Sequence, residues 1–144
     1  MSELLPEVDF HSTAVNFIPK SKSQLRQWIV DTFRAEKKSL SSLHFIFCSD
    51  EYLLGINKEF LDHDDYTDVI TFDYGHDSEI EGEIYISVDR VRDNANSMGQ
   101  NFDDELHRVM IHGVLHLCGY GDSKPEDKRV MTQKEDYYLN LRSF

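Results

Sequence analysis

Apolar positions along this chain switch between two periods. Leu25, Trp28, Ile29, Thr32 and Phe33 fall at i, i+3, i+4, i+7 and i+8, the spacing of one helix face. The spacing predicts a first helix packed on a core. Ser21 or Ser23 is placed to cap it, and Lys37 and Lys38 fall in its last turn, where cations suit the dipole. Leu43-His44-Phe45-Ile46-Phe47-Cys48 reads as a strand, rich in residues that fit a pleated surface. Asp68–Tyr74 reads as a second strand. Gly82–Val88 reads as a third, with Ile84, Ile86 and Val88 on one face. Weaker strand character marks Val8–His11 and Ala14–Phe17. Between these, Asp50 is placed to cap a short helix to about Leu61, Asp62–Asp65 reads as an acidic turn, and Gly75–Glu81 as a polar loop. A further helix runs to about Met98 and is closed by Gly99.

The next segment is different in kind. It begins near Asp103, with Asp103, Asp104 and Glu105 in a first turn that favours carboxylates. From Val109 to Cys118 it is apolar almost all round, interrupted only by His112, Gly113 and His116, which predicts a buried central helix. Ser123-x-x-Glu126 then has the form of a capping box with Pro125 in the first turn. It opens a last helix whose Val130, Met131, Tyr137, Tyr138 and Leu141 are expected to cover the core.

The central helix carries the chemistry. Two histidines four residues apart stand roughly 6 Å apart along a helix axis and about 40° apart around it, so both imidazoles can face one ion. Gly119 supplies a residue that ends a helix without steric cost, and Asp122 can return a carboxylate to the same point. The pattern His112-x3-His116-x5-Asp122 is therefore a candidate metal site of two nitrogens and one oxygen. Buried imidazoles need partners, and one ion satisfies both. Three protein ligands leave an open position, as catalysis requires, whereas structural zinc sites close with four. Cys118 points about 120° or more away from the histidine face and reads as a buried thiol. A zinc peptidase of this spacing places Glu directly after the first histidine; Gly113 can neither accept nor return a proton, which argues against ordinary proteolysis. An iron oxygenase also uses two histidines and a carboxylate, but the helical spacing fits zinc hydrolases better. His11, His44, His63, His76 and His107 have no partner pattern and are expected at the surface, with His63 in its acidic cluster the one to watch. Glu79, Glu81 and Glu83 read as a solvated edge, and Thr67-Asp68 as a turn entering a strand.

Composition narrows the picture. A length of 144 residues suits a single domain over 1–144 with a sizeable core. No apolar run is long enough to cross a membrane, and Met1–Glu7 lacks the basic start and apolar core of a secretory leader. Cys48 and Cys118 make no disulfide framework, so a reduced, cytoplasmic protein is expected. The net charge of −12 argues against broad attraction to nucleic acid or anionic lipid. Any nucleic-acid ligand would then need a local basic groove or a partner that delivers it.

Three blocks resemble the YbeY family of endoribonucleases, the ribosomal-RNA maturation factors. The family hallmark H-G-x-L-H-L-x-G-Y-D-H is matched by His112-Gly113-Val114-Leu115-His116-Leu117-Cys118-Gly119-Tyr120-Gly121-Asp122. L-N-x-x-Y-R-x-x-D-x-x-T-D-V-L-S-F is echoed by residues 56–72, and G-D-I-x-I-S by Gly82–Ser87. The resemblance implies an α+β fold, with a small mixed sheet of about four strands packed against helices and a buried metal-binding central helix. It implies one zinc-like ion per chain, other divalent ions being possible, held by His112, His116 and Asp122 as metal-binding and catalytic residues. It further implies single-strand endoribonuclease activity in 16S rRNA 3′ end processing, small-subunit biogenesis and quality control. Its partners would be single-stranded or ribosomal RNA, the small ribosomal subunit and its assembly factors, with no membrane and no DNA. Asn57, Thr67 and Asp68 are placed near the cleft on the resemblance alone. Two positions depart from the family. Asp122 stands where the family has a third histidine, so a divalent ion would retain one net positive charge rather than two. Leu61 stands where the family has an arginine that meets phosphate, leaving Arg90, Arg92 and Lys58 as substitutes. The alternative reading is a ribosome-assembly factor that binds the pre-ribosomal subunit with little catalysis. A third is another metal-dependent hydrolase acting on a small molecule or peptide.

Overall fold

The structure, a computed structural model, describes residues 6–144. Of the N-terminal stretch read for a leader, residues 1–5 lie outside them. The element order is β1 (Glu7–Ser12), α1 (Lys22–Ala35), β2 (Ser39–Cys48), α2 (Asp50–Leu61), β3 (Val69–Asp73), β4 (Glu79–Ser87), α3 (Val88–Met98), α4 (Phe102–Leu117) and α5 (Pro125–Asn140). The four strands form one mixed sheet in the order β1-β2-β4-β3. β1 and β4 run parallel to β2, and β3 closes the edge antiparallel to β4. This is the expected α+β architecture.

The strand pattern dictates the layering. Leu43, Phe45 and Phe47 on β2 and Ile84 and Ile86 on β4 are fully buried, alternating with more exposed neighbours. Each such side chain contributes roughly 1.5–3 kcal/mol of burial. A register irregularity between Leu40 and Ser42 shifts the alternation by one, so Leu40 joins the same core as Leu43. α1 and α4 pack over this face, and α3 and α5 flank α4. The opposite face is covered on its β4–β3 side by α2, over a smaller cluster of Cys48, Leu53, Ile56 and Ile70.

All five stripe residues of α1 are buried, and α4 is buried almost all round, as predicted. Several local expectations are corrected. Ala14–Phe17 is no strand, because Ala14 takes a left-handed φ of 62° that ends extension. Ser21, itself left-handed, makes no side-chain cap, and α1 stops at Ala35, so Lys37 and Lys38 lie in the turn beyond it. The cap of α2 is Ser49, whose hydroxyl accepts from the Tyr52 amide; the Asp50 carboxylate is taken instead by Arg90 at 2.6 Å and Ser87 at 2.8 Å. β4 starts at Glu79, so the polar loop is shorter than expected. Glu83 accepts hydrogen bonds from Tyr74 and Tyr85. The Ser123 capping box does not form: α5 starts at Pro125, its N1 position, which leaves Lys124 as the cap residue. Its inward stripe is Met131, Glu135 and Tyr138, and Tyr137 and Leu141 are exposed.

Candidate metal centre

The two histidines of α4 lie on the one strip of that helix the core does not cover, with side chains 21% and 25% exposed. Gly113 between them lets the helix approach the sheet. A Cβ there would meet Ile84 Cδ1 and Cγ2 at 2.9 Å and Thr71 Cγ2 at 3.3 Å. Any side chain at 113 would face Ile84 and Thr71 of the sheet, so this position offers no proton carrier to the histidines. After α4, Gly119 turns the chain at φ 109° and brings Asp122 back. His112 Nε2 and His116 Nε2 lie 3.0 Å apart, and Asp122 Oδ2 lies 3.3 and 3.4 Å from them. The three residues singled out by spacing thus converge on one point.

The outer nitrogens decide what faces that point. His116 Nδ1 lies 2.8 Å from the Tyr120 carbonyl, which only accepts, so Nδ1 carries the hydrogen. His112 Nδ1 lies 2.7 Å from Glu135 Oε2, and Arg108 Nη1 donates to the other oxygen of that carboxylate at 2.7 Å. Nδ1–H therefore donates to Glu135. Both neutral rings turn their Nε2 lone pairs toward each other and toward the Asp122 carboxylate. Three bare acceptors at this spacing repel unless a cation or proton sits among them. Bonds of about 2.0–2.1 Å in tetrahedral geometry give edges of about 3.3 Å, so these donors fit a zinc-sized ion. Burial pushes the His112 imidazole down, but the Glu135 hydrogen bond and the charges of Glu135, Asp122 and Asp68 carry it above its ordinary value.

A second layer braces the turn. The Glu36 carboxylate at the end of α1 accepts from the hydroxyls of Tyr120 (2.7 Å) and Tyr138 and from Lys134 Nζ (3.1 Å). Burial raises its pKa, but these donors and the lysine charge together hold it below the ordinary carboxylate range. Tyr120 is thus fixed at its hydroxyl while its carbonyl orients His116.

The histidines and Asp122 form the floor of an open cleft of about 500 Å³. Asn57, Leu61, His63, Tyr66, Thr67 and Asp68 are among its walls. Asn57 is buried and donates to the Asp65 carbonyl at 2.8 Å, tying the 62–68 loop to α2. Burial raises the Asp68 carboxyl, opposed by His112. Among the described residues, no lysine or arginine lines the cleft. The three suggested substitutes for the family arginine are engaged elsewhere: Lys58 with Asp64 at 3.2 Å, Arg92 over Phe102, and Arg90 with Asp50 and over the Tyr66 ring. The local basic groove that the charge made necessary is absent among these residues. Cys118 is buried outside the site, its thiol pushed up to about 12 by burial. His107 is also buried rather than at the surface, and Arg142 Nη1 donates to its Nδ1 at 2.6 Å.

Sequence reasoning missed Glu135, Arg108 and Glu36. Glu135 left a trace: it occupies the middle of the Met131, Glu135, Tyr138 stripe, a carboxylate where an apolar residue belongs.

The sequence profile of the family described as endoribonuclease YbeY matches residues 7–142. A Cytophaga hutchinsonii protein named endoribonuclease YbeY is 50% identical over 126 residues, covering 87% of this chain and 88% of that one. One of the same name from Bacteroides thetaiotaomicron is 41% identical over 135 residues, covering 94% and 98%. A solution structure of a Thermotoga maritima protein superposes with a TM-score of 0.65 at 26% identity, covering 92% of this chain and 87% of that one.

Proposed function

The chain belongs to the YbeY family of endoribonucleases, and from that premise we propose that it cleaves single-stranded RNA during 16S rRNA 3′ end maturation. His112, His116 and Asp122 would hold one divalent ion, zinc by preference. The observation that carries this reading is the convergence of three lone-pair donors within 3.4 Å at the floor of an open cleft.

When bound, the ion supplies Lewis-acid polarisation of a phosphodiester oxygen and a lowered pKa for water. The chain's own residues do the rest. Glu135 and the Tyr120 carbonyl orient the two imidazoles and fix their tautomers. Asp122 reduces the positive charge that the centre presents to phosphate. Asp68, whose proton affinity burial raises, stands in the cleft wall as the carboxyl able to take or return a proton at its Oδ. Tyr66, 48% exposed on the rim, offers a face on which an unpaired base can stack.

With a net charge of −12 and no lysine or arginine among the described cleft residues, the protein does not gather RNA by charge alone. The small ribosomal subunit and its assembly factors are the partners that would present the strand. Two free, buried thiols suit a reducing cytoplasm. No helix among the described residues is long and apolar enough to cross a membrane. The whole of 1–144 is proposed to act as one domain.

The test is His116→Ala. The variant should keep its circular dichroism, lose one ion per chain by elemental analysis, and lose cleavage of single-stranded RNA. Unchanged metal content overturns the ligand assignment. Metal-loaded wild-type protein that binds the small subunit without cutting RNA selects the assembly-factor reading.

A further inference from the structure

The sheet face opposite α4 is only partly covered. α2 spans its β4–β3 side, over Ile70 and Tyr85, and the Cys48 end of β2. Toward the β1 edge the same face carries Asp9 and His11 of β1 and His44 of β2. Asp9 and His44 are half-buried and His11 is exposed, while Val8 on the other face is buried. The parallel register sets Asp9 directly opposite His44, with His11 two residues on and so on the same side.

The side chains converge as the register demands. His11 Nε2 lies 3.0 Å from His44 Nδ1, and the Asp9 carboxylate lies 3.9 Å from that same nitrogen. One ligand atom from each residue falls within 4.8 Å of the others. Glu7 Oε1 stands 3.6 Å from the other nitrogen of His44. The 3.0 Å approach of the two rings turns His44 Nδ1 and His11 Nε2 toward one point beside Asp9.

We infer that Asp9, His11 and His44 form a second divalent-metal site, of the zinc class, which clamps the edge strand β1 to β2. Two imidazoles and one carboxylate suit zinc, copper or nickel, and disfavour the oxygen-seeking magnesium and calcium. The nitrogen separation is close to the tetrahedral edge of about 3.3 Å that such ions impose. The hydrogen-bonded ladder holds the backbone at this spacing, and the exposure of His11 gives an ion entry from solvent. Among the described residues β1 pairs with β2 alone, and it sets Val8 and Phe10 against the core, so a bridge across the two strands ties down this edge of the sheet.

Zinc itself is the probe, and the full chain is the sample. In His116→Ala, whose α4 site lacks a ligand, competition against a chromophoric chelator should still read one zinc per chain. Zinc should also raise the unfolding temperature of that variant and shift the imidazole resonances of His11 and His44. Adding His44→Gln should abolish all three effects, and His11→Gln, at an exposed position, should do the same without touching β2. Either glutamine alone should reduce the parent from two zinc ions per chain to one and leave RNA cleavage intact. Zinc uptake that survives both glutamine variants, or imidazole resonances that zinc does not move, overturns the site.

Discussion

Gly113→Ala tests whether the approach of α4 to the sheet is what the glycine is for. In a helix interior, Gly→Ala is worth roughly 1 kcal/mol of added stability from propensity alone. Against this stands the space. The new Cβ would lie 2.9 Å from two carbons of Ile84 and 3.3 Å from one of Thr71. Carbon contacts are at ease at about 3.5–4.0 Å, so something must yield by at least about 0.6 Å. Ile84 is fully buried on a central strand and its Cγ2 cannot swing away without leaving its rotamer. Overpacking of this kind costs about 1–3 kcal/mol, so the net expectation is a loss of about 1 kcal/mol. For a chain of this length that is roughly 3 °C in Tm. Gly55 on α2 is the internal control: a Cβ there meets nothing within 4 Å, so Gly55→Ala should raise Tm by a similar amount. Thermal melts followed by circular dichroism, with chelator present to remove metal linkage, read both. A Gly113→Ala protein that melts above its parent, like the control, refutes the reasoning.

Glu135→Gln should weaken metal binding by about 10–100-fold while His112 remains, because the carboxylate that orients the ring is lost; chelator competition reads it, and unaltered affinity would remove Glu135 from the site. Leu61→Arg returns a cation to the cleft rim and should tighten binding of single-stranded RNA, steepening the plot of log K against log salt by about 0.7; an unchanged slope would mean the side chain does not meet phosphate. His107 is held neutral in the fold, its pKa pushed down to about 4 by burial and then by Arg142, against about 6.5 in the unfolded chain. The unfolded state therefore binds the extra proton: stability is full above about pH 6.5 and falls by about 3 kcal/mol as pH drops through 4. Urea titrations of His107→Gln across that window should show a flatter pH dependence than the parent, and equal slopes would discard the assignment.

What was legible in the sequence depended on how far apart the cooperating residues stand. The α1 stripe, the all-round apolar α4 and the His112, His116, Asp122 spacing are local patterns, each set by helix period and one turn. They appear in the fold as read. Cap positions were less legible, because neighbouring polar residues compete. Ser49 rather than its neighbour Asp50 caps α2, and Pro125 takes N1 of α5, so that Lys124 rather than Ser123 is its cap residue. Glu135 and Glu36 were not legible as site residues. Their partners, His112 and Tyr120, are 23 and 84 residues away in the chain.

The sequence by itself determined that His112 and His116 share one face of α4 and that a carboxylate follows one turn later, because an α-helix fixes where residues four apart must point. Only the tertiary structure decided which nitrogen of each ring faces the centre, since that follows from what α5 and the Tyr120 turn bring to the other nitrogen. It also decided that Gly113 is a spacer against Ile84, and that His11 and His44 meet across a parallel ladder. Those facts depend on which distant segments pack together, and no local period encodes that.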